Sequence, residues 1–214
     1  MSRCNLKYLY MLIRIKSICL FISITFSSNG YCQNAEKYFN SGFSKSNKGD
    51  HLGAISDYSK AISLEPKNPN IYCNRGRSKQ IMGDYRGAIA DFNKAISLDP
   101  TNALPYFGRG SVKAKMKDYS NAIKDYDQAI KLKPDYEDAY FNRSHSKEMV
   151  DNVKGAIADL NIVIQLNSNN AEAYHNRGVI KGRNGDDEGA CKDLRKALSL
   201  GDRTVLELLN RNCD

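Results

Sequence analysis

The sequence predicts an all-α fold, a solenoid of five helix-turn-helix hairpins closed by a C-terminal capping helix. Three observations carry this. Residues 35–68, 69–102, 103–136, 137–170 and 171–204 align on a 34-residue period without insertion or deletion. A period of that length marks supersecondary units that bury their apolar faces only by stacking on one another. Apolar spacing is helical in both halves of a unit, as in Ala88, Ile89, Phe92, Ala95 and Ile96. Turn signals recur between the halves: Gly-Asp at 49–50, 83–84 and 185–186, with Asp151-Asn152 in the fourth unit, while Asp99-Pro100 stops a second helix. Such an array has an extended surface and no single closed core, so the function to look for is binding along that surface.

The first helix of each hairpin carries tyrosine at the fourth position (Tyr38, Tyr72, Tyr106, Tyr140, Tyr174) and a small residue at the eighth (Gly42, Gly76, Gly110, Ser144, Gly178). The second helix carries alanine at the twentieth position (Ala54, Ala88, Ala122, Ala156, Ala190) and a bulky residue at the twenty-fourth (Tyr58, Phe92, Tyr126, Leu160, Leu194). Ala61, Ala95, Ala129, Val163 and Ala197 follow at the twenty-seventh, then Pro66, Pro100, Pro134, Ser168 and Asp202 at the thirty-second. Bulky residues facing small ones at fixed offsets let two antiparallel helices interlock closely. This set resembles the tetratricopeptide repeat family over residues 35–204. The resemblance implies a right-handed superhelix whose first helices line an inner groove.

Residues 205–214 continue the register for one more helix, with Leu206, Leu208 and Leu209 as its apolar face and Glu207, Asn210 and Arg211 outside. At the other end, Arg3, Lys7, Arg14 and Lys16 precede an uncharged stretch from Ser17 to Phe26 and the small-residue run before Cys32. That order is the pattern of a secretory signal over residues 1–32, cut after Cys32, which places the remainder (33–204 and the cap) in the periplasm, cell envelope or outside. Lipidation at Cys32 and retention as a membrane anchor are the competing readings. Tyr31 suits the first poorly, and a stretch of about ten residues is short of the roughly 20 that the second needs. The four basic residues of this segment meet no acidic one, so its removal halves the net charge of +8.

Cysteine use follows the same division. Cys73, Cys191 and Cys213 remain after such a cut. In an oxidising compartment Cys191, in the last repeat, and Cys213, on the cap helix that packs on it, can form a disulfide. The alternative is that Cys191 fills the slot of Ile55, Ile89, Ile123 and Ile157. The spacing fits no zinc site, and no cofactor motif is present.

Charges also obey the register. The twenty-third position is aspartate throughout (Asp57, Asp91, Asp125, Asp159, Asp193); the seventh is Ser41 and then Arg75, Arg109, Arg143 and Arg177, with Arg211 at the same phase of the cap. Matching five acids to five arginines predicts inter-repeat pairs, Asp57 with Arg75, Asp91 with Arg109, Asp125 with Arg143, Asp159 with Arg177 and Asp193 with Arg211. Lysine at the eleventh position (Lys45, Lys79, Lys113, Lys147, Lys181) adds a cation to the row. A phosphate-binding or nucleic-acid face is the rival reading of the arginines.

The family resemblance points the second, fifth, sixth, ninth, twelfth and thirteenth positions into the groove. The sixth reads Asn40, Asn74, Gly108, Asn142 and Asn176, a ladder of amides suited to a peptide backbone and interrupted once. Beside it stand Phe39, Cys73, Phe107, Phe141 and His175 at the fifth position, and Phe43, Arg77, Ser111, His145 and Val179 at the ninth. Members of the family that clamp the carboxylate tails of chaperones need lysine and asparagine at five and nine, asparagine at six of the next repeat, then lysine and arginine at two and six. No window here supplies those cations, and Asp138 and Glu172 stand where lysine is required. His51, His145 and His175 are kept apart by the register, so no catalytic constellation is expected. The reading is a non-catalytic scaffold that binds a peptide segment or helix of a protein partner, with a basic nucleic-acid solenoid or a cytosolic or membrane-anchored adaptor as the alternatives.

Overall fold

The computed structural model describes residues 34–213. Over these, α1 (34–47) pairs with α2 (His51–Leu64), α3 (Pro69–Ile81) with α4 (Tyr85–Leu98), and α5 (Ala103–Lys115) with α6 (Tyr119–Leu132). The row continues with α7 (Glu137–Met149) and α8 (Val153–Leu166), then α9 (Ala171–Arg183) and α10 (Asp187–Ser199). A 3-10 turn, Arg203–Val205, leads into α11 (Leu206–Asn212). The expected signal segment and its cleavage or lipidation at Cys32 lie outside the described residues.

Local chemistry sets each hairpin. Second helices open on an aspartate or asparagine that accepts the backbone N–H three residues on: Asp50 from Gly53, Asp84 from Gly87, Asn152 from Gly155 and Asp186 from Gly189, at 2.8–3.0 Å. A Cβ at Gly53 would fall 2.1 Å from Asp50 Oδ2, so glycine is what lets the cap fold over the helix end. Asn121 takes that place in the third repeat, and there Asp118 accepts from the Asn121 side chain instead. The turn residue has positive φ throughout, on Gly49, Gly83 and Gly185 but also on Lys117 (63°) and Asp151 (61°).

Within a hairpin the small and bulky positions meet as the register requires. A Cβ on Gly42 would lie 2.9 Å from the Tyr58 ring, and one on Gly110 equally close to Tyr126. Tyr58, Phe92, Tyr126 and Leu160 are almost wholly buried beside alanines of their own helix. Each such side chain contributes roughly 1.5–3 kcal/mol by leaving water. First helices of successive hairpins also approach one another directly, α3 with α5 and α5 with α7. They therefore form the tighter, inner side of the array.

The charge ladder is intact but is connected differently from the sequence expectation. Each arginine forks onto the aspartate of its own repeat, Arg75 onto Asp91, Arg109 onto Asp125, Arg143 onto Asp159 and Arg177 onto Asp193, through Nε and Nη2 at 2.6–3.0 Å. The predicted pairs Asp57–Arg75, Asp91–Arg109, Asp125–Arg143, Asp159–Arg177 and Asp193–Arg211 do not form. The hairpin itself sets positions seven and twenty-three face to face, which counting acids against bases could not reveal. Asp57 is served by Ser41 Oγ and Lys45 Nζ, both at 2.7 Å, and Arg211 lies 3.7 Å from Glu207.

The inter-repeat bond comes from the remaining nitrogen. Nη1 of each arginine donates to the twenty-fifth position of the preceding repeat: Arg75 to Ser59, Arg109 to Asn93, Arg143 to Asp127 and Arg177 to Asn161. The guanidinium also sits 5.2–5.7 Å from the ring centroid of its own tyrosine, Tyr72, Tyr106, Tyr140 or Tyr174. Lysine at position eleven completes each aspartate at 2.7–2.9 Å. Burial alone would raise the Asp193 carboxyl, but the bonds from Arg177 and Lys181 hold it below the ordinary value.

At the C-terminal end Val205 is fully buried, and Leu208 and Leu209 pack on Leu194 and Ala197. Leu206, expected on the same apolar face, is 44% exposed, because the 3-10 turn delays the helix and rotates it. Cys191 and Cys213 are joined by a disulfide, with Cα atoms 5.5 Å apart. Cys73 is free and half-buried, and burial raises its thiol to about 11.

Candidate binding groove

The first helices, α1, α3, α5, α7 and α9, present the groove residues in turn, and clefts open between them. The central cleft, about 500 Å³, is lined by Cys73, Arg77, Gln80 and Ile81 of α3, Leu104, Phe107, Gly108 and Ser111 of α5, Phe92, Tyr136 and Asp138. A second, about 430 Å³, lies between α7 and α9 and includes His145, Glu148, Met149, His175, Asn176, Val179 and Arg183.

The asparagine ladder is partly turned inward. Asn74 Nδ2 donates to Asn70 O at 2.9 Å and Asn142 Nδ2 to Asp138 O at 3.0 Å, each one turn back in its own helix. Such a bond holds the amide plane and leaves the carbonyl oxygen and one N–H for a partner. Asn40 is exposed, and Asn176 lines the second cleft.

Most fifth-position aromatics serve packing more than recognition. Phe39 stands 5.9 Å from Tyr58, and Phe107 lies between Tyr126 (5.9 Å) and Tyr136 (4.9 Å). Phe141 packs against the core around Leu160. Phe43 is different, being 49% exposed in the first repeat. His145 is exposed and meets Tyr119 edge-on at 6.4 Å. His175 Nδ1 is held by Asp202 Oδ2 at 2.7 Å, which ties the groove wall to the loop before the cap.

Several groove contacts were not singled out in the sequence. Arg183 Nη1 and Glu148 Oε1 are paired at 2.6 Å across repeats four and five, and Gln80 Nε2 donates to Ser111 Oγ at 3.0 Å across repeats two and three. Leu104, Asp138, Ile81 and Arg183 occupy second and thirteenth positions, already assigned to the groove by the resemblance, so the signal was present. Tyr136 sits in the loop at position thirty-four and had none. Among the described residues no three His, Cys, Asp or Glu side chains are grouped to hold a metal ion.

The stacked hairpins and their inner groove define an all-helical repeat solenoid. A tetratricopeptide repeat model matches residues 69–102, another matches 171–200, and a TPR repeat model matches 47–80 and 110–146. Together these span more than half the chain, which belongs to the tetratricopeptide repeat family. No curated protein matches the sequence. Among solved structures, a MamA protein is 26% identical with a TM-score of 0.71, covering 81% of this chain and 94% of its own. YrrB, described as a TPR protein with an unusual peptide-binding site, is 21% identical with a TM-score of 0.70, over 88% of this chain and 96% of its own. PilF of Pseudomonas aeruginosa has the same fold at 17% identity and a TM-score of 0.75, covering 84% of this chain and 82% of its own.

Proposed function

We propose that the protein is a non-catalytic, exported scaffold that holds a peptide segment or helix of a protein partner in the concave groove. The observation that carries this is the division of labour along the first helices. Ladder arginines are spent on buried aspartates, whereas the groove keeps exposed Phe43, Ile81 and Leu104 beside amides with free hydrogen-bonding capacity. Apolar anchors beside backbone-reading amides are what an extended partner segment needs. The same commitment of the arginines weighs against a phosphate-binding face. YrrB, with its peptide-binding site, offers a precedent for such use of the fold.

Export rests on residues 1–32 and is supported by the Cys191–Cys213 disulfide, a bond suited to an oxidising compartment. Recovery of the intact amino terminus from the cytosol by mass spectrometry would refute it. For binding, a photo-crosslinking residue at Leu104 should trap a discrete partner in the native cells. Asn74→Ala with Asn142→Ala should weaken that capture in a protein that stays helical; undiminished capture would remove the amides from the mechanism.

A further inference from the structure

The one break in the asparagine ladder coincides with the central cleft. A Cβ on Gly108 would fall 2.5 Å from Phe92 Cζ, so any side chain there would displace the ring that closes the floor. Without one, the groove deepens between Ile81 and Leu104, which are 52% and 56% exposed, with Phe107 and Tyr136 behind them. Two opposite charges stand on this cleft, Arg77 of repeat two and Asp138 of repeat four. Neither forms an ion pair among the described residues, whereas Glu148 and Arg183 on the second cleft are joined to each other. Burial raises the Tyr136 hydroxyl to about 12, with Asp138 adding to that and Arg77 opposing it, so both charges are felt at the same ring.

Resting on the scaffold reading above, we propose that this cleft is its specificity pocket: it takes one aromatic or long aliphatic side chain of an extended peptide that carries an acidic residue on one flank, toward Arg77, and a basic residue on the other, toward Asp138. The apolar lining supplies the anchor and the separated charges select the flanks. A cleft of this volume is within the range of small-ligand and side-chain anchoring sites.

The probes are four labelled synthetic peptides, Asp-Asp-Gly-Phe-Gly-Lys-Lys, its all-Asp and all-Lys counterparts, and the first with Phe replaced by Ala, read by fluorescence anisotropy at low ionic strength. Wild type should favour the mixed peptide about three- to fivefold over either single-sign peptide, as expected for rim charges. Loss of the Phe should cost about tenfold. Arg77→Glu should shift the preference to the all-Lys peptide and Asp138→Arg to the all-Asp peptide. Lys94→Glu, on an exposed second-helix position, should leave the order unchanged. A ranking that is the same in all these proteins, or indifference to the Phe, overturns the pocket while leaving a groove that binds peptides. Failure of every peptide to bind overturns the pocket as well, and the scaffold reading is then decided by the cross-linking above.

Discussion

Replacing Asp125 and Arg109 singly and together would measure the ladder where it is best defined. Arg109 donates to Asp125 at 3.0 and 2.6 Å, and Lys113 holds the same carboxylate at 2.7 Å; the carboxylate is 6% exposed and the two cations 21% and 22%. Asp125→Leu strands both cations and should cost about 3–5 kcal/mol. Arg109→Leu leaves Lys113 in place, so its cost should be smaller, about 2–3 kcal/mol. In the double variant only Lys113 lacks a partner, and the coupling should reach about 2 kcal/mol. Asp91, by contrast, is bound by Arg75 and Lys79, so Arg109→Leu and Asp91→Leu should combine additively to within about 0.5 kcal/mol. Urea unfolding followed by far-ultraviolet circular dichroism gives all the values on one scale. Coupling near zero for Arg109 with Asp125, or equally large for Arg109 with Asp91, would refute the within-repeat connection.

Ser78 is fully buried and its hydroxyl has no hydrogen-bond partner among the described residues, while Val112 and Ile180 hold the same register position. Ser78→Val should therefore raise stability by about 1–2 kcal/mol in the same assay, and a loss would show that the hydroxyl is satisfied. Asp57 and Asp193 are held below the ordinary carboxyl range: burial opposes this, and Lys45 with Ser41, or Arg177 with Lys181, outweighs it. With the folded value depressed, the unfolded chain binds protons first, so stability is full above pH about 4 and falls as pH drops through the folded values. Urea midpoints across that range should show the decline, and stability that stays flat below about pH 4 would contradict it. Reduction of Cys191–Cys213, or Cys213→Ser, removes a link of sequence separation 22 whose loop entropy corresponds to about 3 kcal/mol. Amide exchange should speed up in 206–212 and stay unchanged in the first three repeats.

The hairpins were legible because their determinants are local and repeat. Asp50 with Gly53, Gly42 with Tyr58, and Gly83 with Asp84 each fix a turn or a contact within one unit, and five copies average out the exceptions. The partner of an arginine was not legible, because Asp91 and Asp125 are equivalent in the register and only the hairpin's three-dimensional closure sets Arg109 opposite the second. Leu206 failed for a related reason, since the 3-10 turn at Arg203–Val205 shifts the helical phase by an amount that spacing does not encode. In the groove, Arg77 and Gly108 were visible as departures from the register. That Phe92 forms the floor beside Gly108, making the break a cleft, depends on a contact between neighbouring repeats that a single aligned unit does not contain.

Arg195 stands at the twenty-fifth position of the last repeat, where Ser59, Asn93, Asp127 and Asn161 receive the guanidinium of the following unit. A cation there would repel Arg211 of the cap, and Arg195 Nη2 bonds the Cys213 carbonyl instead. The noncovalent rung that joins every earlier pair of repeats is thus missing at this one joint, and the covalent one occurs there. Among the described residues, an environment that reduces the disulfide would act at that joint alone, making the last link of an otherwise uniform array answer to the redox state around it.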